Sequence, residues 1–290
     1  MAIVGASGKR ELARMRRSVG IFVGIATQLL FIATVWPLFW FLKGHSPAAA
    51  EGNLWWDVPL ALQFAVVHSL LLCPWTRQRL QPYISPAFYG CFFCVATCLG
   101  LLAMFALWQP SSTSVWELHG WPRVSVQAAF ALSWCGLIYS LNLNGLGYQT
   151  GWTPWWHWYR RQPLPPRRFE PRGAYLWLRH PVYLSFMGLI WFTPDMTLDR
   201  VLLTGLWTGY LFVGSALKDQ RLAYYLKEAY RDYQSRVPGY PLMPWGPLAR
   251  VPWPGTGARR PSIAAETGAS RGSPARRWPA AKFRFFLPLR

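Results

Sequence analysis

Apolar stretches long enough to cross a bilayer recur along most of this sequence. A helix needs roughly 20 apolar residues to span about 30 Å of hydrocarbon. Four such stretches lie at about 18–42, 54–72, 88–108 and 124–146. A shorter pair follows at 182–192 and 201–217, which we interpret as a tilted or partly embedded helical hairpin. The sequence therefore predicts an all-α fold, a polytopic transmembrane helical bundle with five to six membrane segments.

The distribution of charge agrees with a membrane protein and predicts its orientation. Only 14% of the residues are charged, against about 25% in a typical soluble domain. The net charge of +19 lies in bands between the apolar stretches rather than on one surface, which argues against a nucleic-acid partner. Eighteen Lys and Arg fall on one side of the predicted spans, against Lys43, Arg123 and Arg200 on the other. This bias predicts a multi-pass protein with both termini in the cytoplasm.

The same pattern divides the chain into four parts. Residues 1–17 form a basic cytoplasmic arm, and residues 18–146 form four transmembrane helices. Residues 147–245 comprise a cytoplasmic loop, the hairpin and a C-terminal helix, which together are expected to form the functional site. Residues 246–290 are rich in Pro, Gly, Ala, Ser and Arg, a composition typical of a disordered tail.

The positions of the cysteines and of the Trp and Tyr residues indicate structural rather than chemical roles. Cys91, Cys94 and Cys98 have helical spacing inside an apolar stretch and are interpreted as packing residues rather than metal ligands. Trp and Tyr cluster where segments meet the basic loops, which is typical of an interfacial aromatic belt. This interpretation is made for most of Trp55, Trp56, Trp152, Trp155, Trp156, Trp158, Tyr159 and Trp177.

The stretch from Gly173 to Tyr183 carries the strongest chemical signal. Pro181 suits the first turn of a helix, which leaves His180 at the helix mouth beside unpaired N–H groups. Such a mouth favours an anionic group. The alternative is that Arg179 and His180 only anchor a span at the membrane interface.

A second stretch, Lys218–Pro238, has apolar residues at helical spacing. Leu222, Leu226, Ala229, Tyr230 and Tyr233 fall on one face, which predicts a cytoplasmic amphipathic helix. Asp219, at the end of the sixth segment, is expected to face His180 across the base of the hairpin.

These motifs resemble the integral membrane methyltransferases typified by isoprenylcysteine carboxyl methyltransferase. The resemblance rests on Arg179-His180-Pro181-x-Tyr183, an acidic residue after the hairpin, Tyr230-x-x-Tyr233 and Arg236-Val237-Pro238. Other motifs resemble the methanethiol S-methyltransferase and NnrU-type branch. They are His68-Ser69, Pro74, Trp108-Gln109-Pro110 and Thr193-Pro194-x-Met196-Thr197.

The resemblance implies an S-adenosylmethionine-dependent enzyme that methylates a small thiol, converting methanethiol to dimethyl sulfide. The cofactor-binding positions that it implies are Tyr175, His180, Pro181, Tyr183, Asp219 and Tyr230. The sequence departs from the family at Ser185, Lys218-Asp219 and Leu226-Lys227, where the family has Gly, a Glu pair and Phe-Gly.

A site of this kind needs an in-line approach and a desolvated nucleophile, which a membrane pocket supplies. Arg179 or protonated His180 is the expected catalytic cation that favours the thiolate. His68 either lines the acceptor pocket or only bonds a neighbouring helix. Two other classes stay open: a non-catalytic NnrU-like accessory protein for a respiratory complex, and, less favoured, a channel or transporter.

Overall fold

A computed structural model describes residues 3–44, 52–166 and 169–252, with residues 3–16 in their backbone only. Arg167, Arg168 and the tail beyond Pro252 lie outside the described residues, as do the side chains of the basic arm before Arg17. The described part contains ten α-helices. They are α1 (Ile3–Lys43), α2 (Leu54–Leu72), α3 (Pro74–Leu80), α4 (Tyr89–Leu107), α5 (Gly120–Asn144), α6 (Leu146–Gln149), α7 (Trp152–Arg160), α8 (Pro181–Trp191), α9 (Leu198–Leu226) and α10 (Glu228–Arg236).

Five of these helices, α1, α2, α4, α5 and α9, are long and apolar enough to cross a membrane. The all-α, multi-pass fold is therefore confirmed, with α8 as a shorter apolar helix of 11 residues. The sixth predicted segment was too short, because α9 is a single helix of 29 residues that continues past Lys218 and Asp219.

The helices pack in a chain of neighbours. α4 packs against α1 and α2, α2 against α9, α9 against α8, and α8 against α5. α5 and α8 approach closely because a glycine of each helix faces a serine of the other. A Cβ on Gly136 would lie 2.9 Å from the Ser185 hydroxyl oxygen, and one on Gly188 would lie 2.3 Å from that of Ser133. Small residues of this kind let helix backbones approach in a membrane. Ser185 of α8 thus packs against Gly136 of α5.

The segment Trp108–Ser111 is held between the starts of α2 and α9. The Gln109 N–H donates to Asp57 at 2.9 Å, and the Ser111 N–H donates to Asp199 at 3.1 Å. The Trp108 indole also donates to Asp199, at 2.9 Å. Both carboxylates lie in the first turn of a helix, where the helix dipole favours negative charge. The Trp-Gln-Pro motif therefore joins these two helix ends.

A short antiparallel ribbon, absent from the sequence prediction, lies at the same end. β1 (Ser114–Glu117) pairs with β2 (Asp195–Thr197), with Glu117 opposite Asp195. Arg123 donates two hydrogen bonds to Asp195, at 2.7 and 2.8 Å. The ribbon ties the α4–α5 loop to the α8–α9 turn.

The aromatic cluster on α7 packs into the protein rather than forming only a belt. Trp155 is buried, its indole donates to the Gly20 carbonyl at 2.9 Å, and a Cβ on Gly24 would meet its ring at 2.0 Å. The belt interpretation, made for most of these aromatic residues, does not describe Trp155, because glycines on α1 leave space for its ring. Trp55 and Trp177 are exposed. Cys91, Cys94 and Cys98 are all buried on α4, as packing residues would be.

The predicted amphipathic helix is broken in two. α9 ends at Leu226, Lys227 has φ of 48°, and α10 begins at Glu228. Leu222, Leu226, Tyr230 and Tyr233 still share one apolar cluster, together with Val237. Ala229 was wrongly placed on that face: it is exposed, because the break at Lys227 changes the helical phase.

Candidate functional site

Arg179 and His180 are held by their backbone at the start of α8. His180 is the N-cap and Pro181 occupies the first turn, as the sequence predicted. The Arg179 N–H donates to the Pro238 carbonyl at 2.9 Å, and the His180 N–H donates to the Gly239 carbonyl at 3.2 Å. The segment after α10 therefore pairs with the entrance to α8.

Asp219 on α9 joins three side chains in a buried centre. Its Oδ2 lies 2.9 Å from Arg179 Nη2, and its Oδ1 lies 3.0 Å from His180 Nε2. These two contacts have ion-pair distances without the angles of directed hydrogen bonds. The Tyr230 hydroxyl does donate a hydrogen bond to Oδ1. The expected meeting of His180 and Asp219 is thus observed.

Burial controls the electrostatics of this centre. His180 is 0% exposed and Asp219 is 3% exposed. Desolvation lowers the pKa of His180, and the neighbouring Asp219 opposes this shift. Desolvation also raises the pKa of the Tyr230 phenol, and the charge of Asp219 adds to the rise. Tyr230 is therefore a hydrogen-bond donor, and His180 favours its neutral form.

Arg179 binds the C-terminal segment, which packs next to the buried centre of Arg179, His180 and Asp219. Its guanidinium donates to four backbone carbonyls, those of Gln234 (3.1 Å), Val237 (2.9 Å), Ala249 (3.0 Å) and Pro247 (3.3 Å). We call residues 237–249 the strap. Leu248 and Ala249 are buried, so the packed chain continues past the domain boundary predicted at residue 246.

Tyr240 and Gly239 bring the strap against His180. The Tyr240 ring lies 5.7 Å from the His180 ring, and its hydroxyl lies 2.6 Å from the Ser215 hydroxyl. A Cβ on Gly239 would lie only 2.7 Å from the Leu248 carbonyl oxygen and 3.2 Å from the His180 ring. Sequence reasoning missed both residues, although Gly239-Tyr240 directly follows the Arg236-Val237-Pro238 motif.

The other predicted cofactor positions surround this centre. Tyr183 lies edge-on to the His180 ring at 5.4 Å. The Lys218 ammonium lies 5.3 Å from the Tyr183 ring and 5.8 Å from the Tyr175 ring. The Tyr175 hydroxyl and His180 Nδ1 are buried without a hydrogen-bond partner among the described residues. Such groups are favourable partners for a polar ligand, since leaving them unpaired costs free energy.

His68 lies apart from these residues, in α2. Its ring lies 5.5 Å from that of Phe64 and 5.0 Å from that of Phe93 on α4. Its Nδ1 is buried and has no hydrogen-bond partner among the described residues. The interhelical hydrogen bond that was one interpretation of His68 is therefore not formed at this nitrogen.

The fold and this centre define a class: a multi-pass helical membrane protein with a buried arginine–histidine–aspartate centre where α8 begins and α9 ends. Comparison with known proteins narrows the class. The chain is 28% identical over 247 residues to a methanethiol S-methyltransferase of Pseudomonas sp. (strain GM41(2012)), covering 80% of this chain and 93% of the relative. It is 25% identical over 245 residues to the methanethiol S-methyltransferase of Mycobacterium tuberculosis, covering 80% and 98%.

Nurim of Rattus norvegicus is 25% identical over 191 residues, covering 63% of this chain and 72% of the relative. No family model and no solved structure matches the chain. The resemblance to the methanethiol S-methyltransferase branch that the motifs indicate is thereby confirmed. The names of these relatives give no support to a respiratory accessory protein.

Proposed function

We propose that this protein is an S-adenosylmethionine-dependent methyltransferase that converts methanethiol to dimethyl sulfide. The observation that carries the proposal is the buried centre of Arg179, His180 and Asp219, in a relative of the methanethiol S-methyltransferases. A sulfonium methyl donor and a small thiol suit a site that excludes water, because methyl transfer needs alignment and desolvation more than acid–base groups.

The residues present fit this cofactor. The unpaired Tyr175 hydroxyl and His180 Nδ1 offer hydrogen-bonding capacity, and Asp219 adds a buried negative charge that favours a cationic ligand nearby. Pro181 starts the helix at the mouth, while Tyr183 and Tyr230 enclose the centre. The Lys218 ammonium lies beside the rings of Tyr175 and Tyr183. In this proposal it pairs with the carboxylate of the cofactor. When bound, the cofactor supplies an electrophilic methyl group.

The roles of Arg179 and His180 differ in this proposal. Four carbonyls and Asp219 already surround the Arg179 guanidinium. Arg179 therefore acts as a positioning residue. This role differs from the one expected from the sequence, in which its charge stabilises the thiolate. His180, which favours its neutral form, orients Asp219 through Nε2 and presents Nδ1 to the cofactor.

The orientation of the protein belongs to the same proposal. The centre lies where α8 begins and α9 ends, at the end that the basic loops assign to the cytoplasm. We propose that both termini are cytoplasmic and that the polar cofactor arrives from that side. The small, lipid-soluble thiol arrives from the bilayer.

The test uses purified protein with methyl-labelled S-adenosylmethionine and methanethiol. Labelled dimethyl sulfide in the headspace, measured by gas chromatography, is the expected product. Calorimetry measures cofactor binding independently, and His180→Ala is expected to weaken it about five- to 150-fold, the loss of 1–3 kcal/mol. Wild-type protein that binds no cofactor and forms no dimethyl sulfide would refute the proposal.

A further inference from the structure

His68 stands on the membrane side of the proposed cofactor site. α2 and α9 run in the same direction, since the Trp207 indole donates to the Ala61 carbonyl at 3.4 Å and Arg221 donates to that of Leu72 at 3.3 Å. Ser69, next to His68, donates to the hydroxyl of Tyr210 at 3.4 Å. Tyr210 precedes Asp219 on α9, so His68 lies deeper in the membrane than the buried centre.

Side chains of α8 and α9 connect the two places. The Tyr183 ring, which contacts His180, lies 3.5 Å from where a Cβ on Gly214 would be. Gly214 is one helical turn beyond Tyr210 on α9. The absence of a side chain at Gly214 leaves room for the Tyr183 ring beside α9, one turn beyond the Ser69–Tyr210 pair. In the proposed function the acceptor comes from the bilayer, and His68 lies on the bilayer side of the buried centre.

Alignment and desolvation are the main needs of the methyl transfer itself, but the proton of a neutral thiol must also be taken up by some group. A thiol with a pKa near that of cysteine, about 8.5, is mostly protonated at neutral pH, and an apolar pocket disfavours the thiolate further. Arg179 cannot accept a proton. His180 faces Asp219 with Nε2 and, in the proposed function, the cofactor with Nδ1. The structure describes α2, α4, α8 and α9 in full. His68 is the only histidine within these four helices.

Resting on the proposed function, we propose that His68 is the general base for the acceptor thiol. With its proton on Nε2, the ring presents the lone pair of the unpaired Nδ1. The thiol sulfur forms a bond to the methyl carbon of the sulfonium donor as its proton passes to His68 Nδ1. The bond from that carbon to the donor sulfur breaks, and its electron pair stays on the donor sulfur. The products are a thioether, a neutral donor thioether and an imidazolium that later releases its proton.

The experiment compares wild type with His68→Phe and His68→Gln on thiols of different acidity. Phe keeps a ring beside Phe64 and Phe93, while Gln keeps hydrogen-bonding capacity, and neither is a base. Both variants should lose about 10²- to 10⁴-fold in kcat/KM for methanethiol. The loss should be much smaller for 2,2,2-trifluoroethanethiol, whose fluorines acidify the thiol. Calorimetric affinity for S-adenosylmethionine should stay at the wild-type value.

A matched control is His157→Gln, since His157 lies on α7 and its Nδ1 is already paired with the Thr153 carbonyl at 2.9 Å. It should leave the ratio between the two thiols unchanged. The inference is overturned if both His68 variants lose the same factor on both thiols, or if His68→Gln keeps wild-type activity. A wild type that methylates no thiol refutes the proposed function instead, so the two failures are distinguishable.

Discussion

Asp219 shows at the residue scale how a charge is kept inside this protein. A buried carboxylate without partners is costly, and a buried pair stabilises only when its geometry is satisfied. Asp219 has Arg179, His180 and Tyr230 around its two oxygens. Asp is one methylene shorter than the Glu of the resembled family, yet its oxygens lie 2.9 Å from Arg179 Nη2 and 3.0 Å from His180 Nε2. The short side chain is thus sufficient for contact.

We expect Asp219→Asn to weaken S-adenosylmethionine binding about five- to 150-fold, since it removes the charge with little change in volume. Asp219→Glu should bind the cofactor at least as well as wild type. Isothermal calorimetry measures both. Asp232→Asn is the control, because Asp232 pairs with Arg236 on the exposed face of α10. An Asp219→Asn variant that folds and binds like wild type would remove Asp219 from the cofactor site.

At the scale of elements, the break between α9 and α10 depends on one strained residue. Lys227 has φ of 48° and ψ of −121°, a backbone conformation that glycine adopts far more readily than lysine. The resemblance implies a glycine at this place, which is the residue that such a backbone favours. The break turns α10 so that Tyr230 reaches Asp219 and Tyr233 donates to the Tyr175 carbonyl at 2.5 Å.

Lys227→Gly is therefore expected to stabilise the protein by about 1 kcal/mol, because relief of strain exceeds the entropy that glycine loses on folding. Lys227→Ala, which removes the same charge but keeps a Cβ, should give no such gain. Thermal unfolding in detergent compares the three proteins. Equal unfolding temperatures for the Gly and Ala variants would show that the backbone at Lys227 is not strained.

At the scale of the whole molecule, the two ends of the helical bundle differ: one holds structural contacts and the other holds the candidate site. One end is closed by the ribbon, the Arg123–Asp195 pair and the Trp108–Ser111 segment. The other end holds the buried centre and the strap. Their separation by the length of α9 keeps the structural carboxylates Asp57 and Asp199 away from the proposed cofactor site.

The charge asymmetry predicts that these ends lie on opposite sides of the membrane. A reporter enzyme fused after Arg250 should be active in the cytoplasm, and one inserted near Ser112 should be active outside it. Paired reporters that work only in one compartment, such as a phosphatase and a fluorescent protein, measure this directly. If both positions report the same side, the proposed orientation is wrong.

The sequence alone determined the class of fold and the positions of most membrane segments. Apolar length and charge bias act locally along the chain, so α2, α4, α5 and the apolar part of α1 (Arg17–Lys43) were predictable within a few residues. The start of α1 at Ile3 was not predicted. The Pro181 start of α8 and the meeting of His180 with Asp219 were also predictable, because one hairpin links them.

Only the tertiary structure decided how that meeting is enclosed. The strap, Tyr240 and the four carbonyls around Arg179 come from residues 55 or more positions apart, and no periodicity encodes such pairing. The same holds for the slot that receives Trp155 and for the phase change at Lys227. These features follow from which surfaces touch, and that is fixed by packing between elements rather than by the pattern within any one of them.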